Sequence, residues 1–544
     1  MLESASPACH PPLTADPYYG ASFLSQNDQL DAAWQYHSGT KHSYMSIRMH
    51  PHVLDWENKP LLFKIYPTLE VTRLPRDFQE TGKAALGAIA SANTPTEGEA
   101  IPDFETLAQL LFFSAGVTRS KKHPQGETFF RAAACTGALY EIELYVVCTD
   151  LPGKNQRAGD PPALPAGVYH FGAAEFGLRQ LRSGDFRQAL VDATGSEASV
   201  AHAPVTIICT GTYWRNAWKY HSRTYRHFGW DNGTILANLL AMSAATSLSA
   251  RVVAGFVDSQ VNELLGLDTK REVAFSMVSL GHTESKPPIA PPVAPLELPT
   301  VPYSTSEVDY PAMRKMHGAS SHDSSGEVTP WRVRTPSHAI PSPKGAITAM
   351  APLEESKIPR DTIEQVISRR GSTRQFARDP ITLPQLATLL DRATRGIPAD
   401  FLNPPGSHLN ELYLIVNSVV GLPAGAYFYR WEEKQLELLK PGDFRDKAGY
   451  LGLEQQIPAD AAVDVFFLAD LKKILERYGN RGYRVVQLEA GILGGKLYLG
   501  AYAQKLGCSG LTFYDDDVVS FFSPHARGKS AIFLVALGRS AVRK

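Results

Sequence analysis

The chain of 544 residues lacks several features that mark common protein classes. Its five cysteines are scattered, with no C-x-x-C pair, which argues against a disulfide framework and a structural zinc site. The 54 Lys and Arg residues nearly cancel the 55 Asp and Glu residues, so charge does not favour a nucleic-acid or membrane-surface protein. The first residues do not combine a basic start with an apolar run, so no signal peptide is expected. We therefore expect a reduced, cytoplasmic protein.

Uninterrupted apolar runs are also lacking. The most apolar long stretch, residues 234–257, is broken by six polar residues: Asn238, Ser243, Thr246, Ser247, Ser249 and Arg251. This pattern predicts a helix buried between domains rather than a membrane span. The length of the chain predicts two to four domains.

Composition divides the chain. Residues 1–20 are predicted to be an irregular lead-in, and residues 283–358 are rich in proline and serine. Such a segment buries too little apolar surface to offset the entropy of ordering, so a linker or an extended strap is predicted there. The two remaining parts, 21–282 and 359–544, are predicted domains.

The second domain repeats the first. Four motifs recur at a constant offset of 258 residues: Leu164-Pro-Ala-Gly and Leu422-Pro-Ala-Gly, Gly184-Asp-Phe-Arg and Gly442-Asp-Phe-Arg, Tyr225-Arg and Tyr483-Arg, and Gly233 and Gly491. Only two copies exist, which excludes a solenoid. A duplicated domain usually folds as a covalent version of a two-fold dimer. We expect helices 232–250 and 488–504 to form the shared core.

The pattern within the first domain mixes helices and strands, which predicts an α+β fold. Helices are predicted at residues 27–35, 107–111, 213–228 and 232–250, and strands at 139–147, 167–171, 205–209 and 273–280.

A basic motif opens the second domain. It reads Arg370-Gly-Ser-Thr-Arg-Gln-Phe376, with Ser372 between Arg370 and Arg374. Two guanidinium forks and a hydroxyl suit a phosphate group. A solvated basic loop is the alternative.

Together with this motif, the turn Arg131-Ala-Ala-Ala-Cys-Thr-Gly-Ala-Leu-Tyr140, the L-P-x-G-x-Y motif and a Y-x-R-x-Y-R-like stretch before the central helix carry a resemblance. The chain resembles the nitroreductase-fold flavoproteins, and among them the tandem SagB-type (ThcOx) dehydrogenases. The resemblance covers about 20–282 and 359–544. It implies two FMN-binding α+β domains with mostly antiparallel sheets, forming a pseudo-homodimer within one chain.

The two copies differ in the motifs that, by this resemblance, hold FMN between subunits. The arginine motif (Arg370, Ser372, Arg374) is present only in the second domain, and residues 36–42 are expected to replace it in the first. The turn motif (Arg131, Ala134, Cys135, Thr136, Gly137) is present only in the first domain. The intact halves belong to one cleft, so the resemblance implies one FMN per chain.

Further residues follow from the same resemblance. It places Gln456 at the polar edge of the flavin, Leu511, Thr512 and Phe513 along its N5 and O4 atoms, and Arg539 near the phosphate. Ordinary surface positions are the alternative for Gln456 and Arg539, and packing at a strand end is the alternative for Thr512 and Phe513.

Lys219 and Tyr220 occupy the position of a catalytic Lys-Tyr pair in SagB-type azoline oxidases, so the resemblance makes them catalytic candidates. A lysine of lowered pKa beside a tyrosine suits a general base. A solvated surface lysine is the alternative. Histidine spacings of five and six residues do not match a helical metal pair, so no metal site is expected.

The predicted function is that of an FMN-dependent oxidoreductase, moving a hydride between a C–N or ring carbon and flavin N5. The expected substrate is derived from a peptide or an amino acid, with O2 or NAD(P)H as redox partner. The alternatives are an NAD(P)H-dependent nitro or quinone reductase and a non-catalytic flavin-binding or assembly protein. No nucleic-acid or membrane partner is expected, and further association of the pseudo-dimer stays open.

Overall fold

The computed structural model describes residues 25–49, 51–91, 98–123, 126–157, 159–334 and 341–541. The predicted lead-in, 1–20, lies outside these ranges. The strands are β1 Thr72–Arg73, β2 Val117–His123, β3 Gly126–Arg131, β4 Ile142–Cys148, β5 Gly167–Gly172, β6 Gly177–Ser183, β7 Val205–Thr212, β8 Ala250–Val253, β9 Glu272–Leu280, β10 Ile347–Ala349, β11 Ile381–Thr382, β12 Glu411–Val416, β13 Val419–Val420, β14 Gly425–Arg430, β15 Gln435–Pro441, β16 Val463–Ala469, β17 Gly507–Leu511 and β18 Ser530–Gly538. The helices are α1 Asp31–Gly39, α2 Tyr44–Met49, α3 Ala85–Ala90, α4 Phe104–Ala115, α5 Arg187–Ala193, α6 Ala198–Ala201, α7 Tyr213–Tyr220, α8 Thr224–Ala245, α9 Asp258–Leu265, α10 Pro311–Ala319, α11 Ser325–Arg332, α12 Ile363–Arg369, α13 Leu383–Ala393, α14 Arg445–Leu451, α15 Gln456–Asp460, α16 Leu471–Tyr478, α17 Arg481–Ala503 and α18 Asp515–Phe522.

Two sheets of one topology confirm the predicted α+β fold and its duplication. The first has the order β1-β6-β5-β4-β7-β9-β8, and the second has the matching order β10-β15-β14-β12-β16-β18-β17. Neighbouring strands within each of these sheets pair antiparallel. None of the helices in the described ranges is long and apolar enough to cross a membrane.

The central helices α8 and α17 pack against each other between the sheets. A Cβ atom on Gly233 would lie 2.4 Å from the carbonyl carbon of Gly491, and one on Gly491 would lie 2.6 Å from the carbonyl oxygen of Gly229. Only glycine allows two backbones to approach this closely. The repeated pair Gly233 and Gly491 therefore marks the contact across the pseudo-two-fold axis.

The predicted helix boundary near residue 228 is wrong. The helix predicted at 213–228 ends as α7 at Tyr220, because His221 has a φ of +51°. A positive φ in a residue other than glycine interrupts a right-handed helix. Helix α8 then begins at Thr224, so the Tyr225-Arg226 motif lies in the first turn of the central helix.

Reciprocal ion pairs join the two domains at the starts of the central helices. Arg223 Nη1 and Arg226 Nη1 lie 3.0 and 2.6 Å from the Asp515 carboxylate of the other domain. On the opposite side, Arg481 Nη1 and Arg484 Nη1 lie 2.6 and 2.8 Å from the Asp258 carboxylate. Burial opposes ionisation, but the paired arginines hold the pKa of both aspartates well below the usual range. Each domain thus neutralises the buried cations of the other.

The counterpart of the arginine motif in the first domain is not residues 36–42, as predicted. Helices α3 and α12 are related by the pseudo-two-fold axis, because Ala85 N donates to Asp361 O (3.0 Å) and Ile363 N donates to Lys83 O (3.1 Å). The segment after α12 is the arginine motif, so its counterpart follows α3, from Ser91. Residues 92–97 lie outside the described ranges, but residues 91–98 contain no arginine. The first domain therefore lacks the arginines of this motif, as predicted, but the position that lacks them is 91–98 rather than 36–42.

The proline- and serine-rich segment, called the strap here, contains structure that composition did not predict in its described parts, 283–334 and 341–358. It holds α10 and α11, and its strand β10 pairs with β15 in the second sheet. The helices form because Met313, Met316 and Trp331 each bury their side chain almost completely. A few large apolar residues therefore anchor the segment despite its polar composition.

Candidate functional site

A cavity of about 420 Å³ lies between the two domains and is called the first cleft here. The first domain lines it with Ala134, Cys135, Thr136, Gly137, Lys219, Tyr220, His227, Trp230, Asp231 and Thr234, and the second with Ser372, Arg374, Gln455, Tyr498, Gly510, Leu511, Thr512 and Phe533. The structure thus brings the turn motif of one domain and the arginine motif of the other to a single cavity.

The turn at residues 134–137 is held by contacts that need its small residues. Gly137 has a φ of +66°, and a Cβ atom there would lie 2.8 Å from the Tyr220 hydroxyl oxygen. The backbone N–H and the hydroxyl of Thr136 both donate to the Asp231 carboxylate at 2.9 Å. The turn is therefore pinned to α7 on one side and to α8 on the other.

Arg370 joins the two motifs instead of lining the cleft. Its buried guanidinium donates to the carbonyl oxygens of Ala132 (3.0 Å) and Arg131 (2.8 Å). Arg131 is itself buried and donates to Leu62 O at 3.2 Å. Both arginines were predicted to contact the cofactor, but neither lines the first cleft, and Arg370 instead binds the backbone that leads into the turn.

Ser372 and Arg374 do face the first cleft. The Ser372 hydroxyl lies 3.2 Å from the Tyr498 hydroxyl, which accepts the backbone N–H of Gly510 at 2.6 Å. Arg374 is exposed and makes no ion pair with the part of the chain that the structure describes. Its guanidinium is therefore available to an anionic ligand.

The sequence did not single out Arg119, which lies beside the arginine motif. A Cβ atom on Gly371 would lie 3.7 Å from Arg119 Nη2, and Arg119 contributes to lowering the pKa of Arg370 after the larger effect of burial. It belongs to the β2–β3 hairpin, whose basic run at residues 118–123 was the available signal.

Lys219 and Tyr220 lie at the end of α7 and line the first cleft together. Lys219 is exposed, with its Nζ atom 5.3 Å from the centre of the Tyr220 ring. Partial burial and then the positive charge of Arg374 lower the pKa of Lys219. Burial and then the nearby Asp231 raise the pKa of Tyr220. The lysine therefore gives up a proton more readily than an isolated lysine, while the tyrosine stays protonated.

Besides Arg131 and Arg370, three predicted residues do not line the cavity. Gln456 is exposed and donates to Asp460 Oδ1 at 2.9 Å, while its neighbour Gln455 lines the cleft. Arg539 is exposed and donates to Pro380 O at 3.1 Å. Phe513 is buried behind the lining, with the Arg223 guanidinium 5.4 Å from its ring centre.

The pseudo-symmetric counterpart of the first cleft, called the second cleft here, is filled by the strap. Tyr478 ends α16 as Tyr220 ends α7, at the 258-residue offset. Trp331 of α11 donates its indole N–H to Tyr478 O at 2.9 Å, and the two rings lie 5.8 Å apart. A Cβ atom on Gly255 would lie 3.1 Å from the indole. The Trp331 side chain thus occupies the space between α16 and the segment after β8.

Asp400 occupies the second cleft together with Trp331. Its fully buried carboxylate accepts the backbone N–H groups of Ala254 and Gly255, both at 2.9 Å. Segment 254–257 follows β8 in the first domain. Its counterpart in the second domain is segment 512–514, which follows β17 and begins at the first cleft with Thr512. The backbone donors that would face a ligand in the second cleft are therefore already satisfied by the protein.

The residues of the first cleft fit an FMN molecule. Its volume is typical of a cofactor site, and its lining combines aromatic rings with polar and charged side chains. The Thr512 hydroxyl oxygen is buried and has no hydrogen-bond partner in the described part of the chain, so a ligand can supply one. Arg374 and Ser372 offer the charge and the hydroxyl that a phosphate group needs.

These features define a duplicated α+β protein with an open cleft between its domains. The family model "Nitroreductase family" matches residues 99–282 and 367–539, and the chain belongs to this family of oxidoreductases. The putative nitroreductase MJ1384 of Methanocaldococcus jannaschii is 27% identical over 165 residues, covering 29% of this chain and 81% of that protein. The crystal structure of a putative nitroreductase from Anabaena variabilis matches with a TM-score of 0.72 and 26% identity, covering 94% of this chain and 99% of that chain.

Proposed function

We propose that the protein binds one FMN per chain in the first cleft and works as a SagB-type oxidoreductase. It moves a hydride between the flavin N5 atom and a C–N or ring carbon of a substrate derived from a peptide or an amino acid. The observation that carries this proposal is the asymmetry of the two clefts. The first cleft is open and joins Ser372 and Arg374 to the turn at 134–137, whereas Trp331 and Asp400 fill its counterpart.

Bound FMN supplies the hydride chemistry, and the residues of the chain supply position and proton transfer. Arg374 and Ser372 would hold the phosphate group, and the Thr512 hydroxyl would bond a polar atom of the isoalloxazine. Trp230 and Phe533 line the cavity with rings that pack 5.0 Å apart, and they would shield the flavin ring from water on that side. Lys219 is the group that accepts a proton from the substrate, because its lowered pKa leaves a larger neutral fraction.

A second candidate is an NAD(P)H-dependent nitroreductase. It is favoured by the two similar proteins described above, because both are named putative nitroreductases. Anaerobic mixing with NADPH distinguishes the two: rapid bleaching of the flavin supports the reductase, and a flavin that stays oxidised supports the substrate-oxidising enzyme.

Purified protein is expected to carry about one FMN per chain, and Arg374→Ala is expected to bind FMN more weakly with the fold intact. Arg374 is exposed, so its loss removes a phosphate contact worth about 1.5–3 kcal/mol without opening the core. Flavin extraction gives the ratio, and titration of apoprotein by flavin fluorescence gives the affinity.

Riboflavin is the control for that experiment, because it lacks the phosphate. Its affinity is expected to be the same in the wild type and in Arg374→Ala. Two flavins per chain, or equal losses of FMN and riboflavin affinity, would contradict the assignment.

Lys219→Ala is expected to keep the flavin and to slow its reduction about 10²–10⁴-fold, the range for loss of a general acid or base. The rate is read by stopped-flow absorbance with a donor that reduces the wild type. Arg477→Ala is the matched control, since Arg477 holds the corresponding position at the second cleft. Equal rates in wild type and Lys219→Ala would assign Lys219 to the solvated surface.

A further inference from the structure

An exposed apolar patch that the proposed function does not use borders the first cleft. Helix α2 buries none of its residues. Of the 13 large apolar side chains that are exposed in the described ranges, six lie within residues 44–56, and they are called the α2 patch here: Tyr44, Met45, Ile47, Met49, Val53 and Trp56. Single exposed apolar residues are ordinary, but a group concentrated in one short segment marks an interaction surface.

Two contacts fix this segment at the mouth of the first cleft. Arg48 Nη2 lies 2.8 Å from Glu454 Oε2, and Glu454 directly precedes a glutamine of the cleft lining. His52 Nε2 lies 2.8 Å from Trp218 O, and Trp218 directly precedes a lysine of the lining. The Trp56 ring also lies 5.3 Å from the Trp218 ring. The α2 patch therefore follows the rim of the cleft from the second domain to the first.

Helix α2 has a counterpart at the second cleft, helix α11. His42 N donates to the Asp515 carboxylate at 2.8 Å, and His322 N donates to the Asp258 carboxylate at 3.1 Å. The two aspartates are related by the pseudo-two-fold axis, so the two histidines are equivalent positions. Helices α1 and α10 each end three residues before their histidine, and α2 and α11 begin two and three residues after it. The two short helices therefore hold equivalent positions at the two clefts.

Helix α11 shows which space α2 borders. Its residues Val328 and Trp331 are fully buried, and Trp331 fills the space between Tyr478 and the segment after β8. The equivalent space in the first cleft lies between Tyr220 and Thr512, which both line the open cavity. A molecule that enters this space therefore meets the α2 patch at its edge.

The size of the first cleft leaves most of a large substrate outside. Its volume of about 420 Å³ is at the low end of the roughly 300–1,000 Å³ that is typical of a site for one ligand. With FMN bound there, only the reacting part of a substrate can enter, and the rest lies against the rim. The rim is therefore a binding surface as well as an entrance.

Unpaired cations at the rim indicate the charge of its ligand. Lys59, Lys219 and Arg374 form no ion pair with the residues that the structure describes. Burial, then Arg374 and then Lys59 lower the pKa of Lys219, so the three cations lie close enough to repel one another. A second copy of the chain would bring the same three cations to a two-fold contact, whereas a ligand with a carboxylate would neutralise them. The surface therefore favours an apolar ligand that carries negative charge.

We propose that the α2 patch docks the peptide substrate, and that this peptide carries apolar side chains and a carboxylate close to the residue that enters the first cleft. The inference rests on the proposed function, since that function places the flavin inside the cleft and the substrate at its rim. The patch supplies affinity through the burial of apolar surface, and the chemical step takes place at the flavin.

Selection from a displayed library of random peptides on the purified, FMN-loaded protein provides the probe. The enriched peptides are expected to combine large apolar side chains with aspartate or glutamate. One enriched peptide, labelled with fluorescein, is then titrated with the protein and followed by fluorescence anisotropy. Enrichment of peptides that lack apolar side chains or are rich in lysine and arginine overturns the proposal, and so does the absence of any enrichment.

Met45→Ser combined with Met49→Ser is expected to weaken binding of this peptide at least about 10-fold, because a few anchor side chains dominate the affinity of an interface. Both methionines are exposed, so the fold and the flavin content are expected to match the wild type. Ile289→Ser is the matched control, since Ile289 is 94% exposed but lies outside the patch, and unchanged affinity is expected. Equal peptide affinity of the wild type and the double variant contradicts the docking.

Two other results would assign the patch to a different occupant. A wild-type dimer in sedimentation equilibrium that the double variant dissociates would assign it to a second copy of the chain. Equal losses of FMN and peptide affinity in the double variant would make α2 a cover for the flavin. Protein that binds the peptide through the patch but carries no FMN contradicts the proposed function alone, so the two failures are distinguishable.

Discussion

Asp515→Ala is expected to lower the free energy of unfolding by about 3–5 kcal/mol, the usual effect of breaking a buried ion pair. The change leaves two fully buried guanidinium groups, Arg223 and Arg226, without their carboxylate. It also removes the acceptor for His42 N at 2.8 Å. Urea denaturation monitored by tryptophan fluorescence measures the loss.

Asp258→Ala is the matched variant, because Asp258 pairs with Arg481 and Arg484 at the second cleft. A similar loss of stability is expected. Only Asp515→Ala is expected to weaken FMN binding, since Arg223 contacts the ring of Phe513 next to the first cleft. Equal effects of the two variants on FMN affinity would contradict the assignment of the open cleft.

Both aspartates also set the acid response. Their pKa values are lowered in the folded state, so they bind fewer protons there than in the unfolded chain. Their contribution to stability is complete above the unfolded pKa of about 4 and is lost as the pH falls toward the folded value. Below about pH 4, the difference in stability between wild type and either variant is therefore expected to shrink.

The duplication could be predicted because it left a record in the sequence. Gly233 and Gly491 recur at one offset since each must admit the backbone of the other helix. Such a requirement tolerates no other residue, so it persists while neighbouring positions diverge. The sequence also predicted that Ser372, Arg374 and the turn at 134–137 belong to one cleft, and these residues line a single cavity.

Other features could not be predicted because they depend on contacts between distant segments. The filling of the second cleft needs Trp331 of the strap to meet Gly255, and composition carries no sign of that contact. Gln455 rather than Gln456 lines the first cleft, since the start of α15 turns Gln456 toward Asp460. A one-residue error at a helix start reverses which side chain faces a cavity.

Trp331→Ala is expected to lower the free energy of unfolding by about 3–5 kcal/mol, as for other buried aromatic residues replaced by alanine. The indole is fully buried and its N–H bond to Tyr478 O is lost. Trp56→Ala is the control, since that indole is 65% exposed, and little change in stability is expected. Thermal denaturation followed by circular dichroism measures both variants.

The same variant separates two reasons for a single flavin per chain. If Trp331 alone kept FMN out of the second cleft, Trp331→Ala would raise the flavin content toward two per chain. We expect it to stay near one, because Asp400 still occupies the N–H groups of Ala254 and Gly255. Residues 91–98, the counterpart of the arginine motif, also offer no guanidinium to a phosphate. The Trp331 side chain then fills a cleft that lacks the ligand groups of the first, and its removal is expected to leave a cavity rather than a second flavin site.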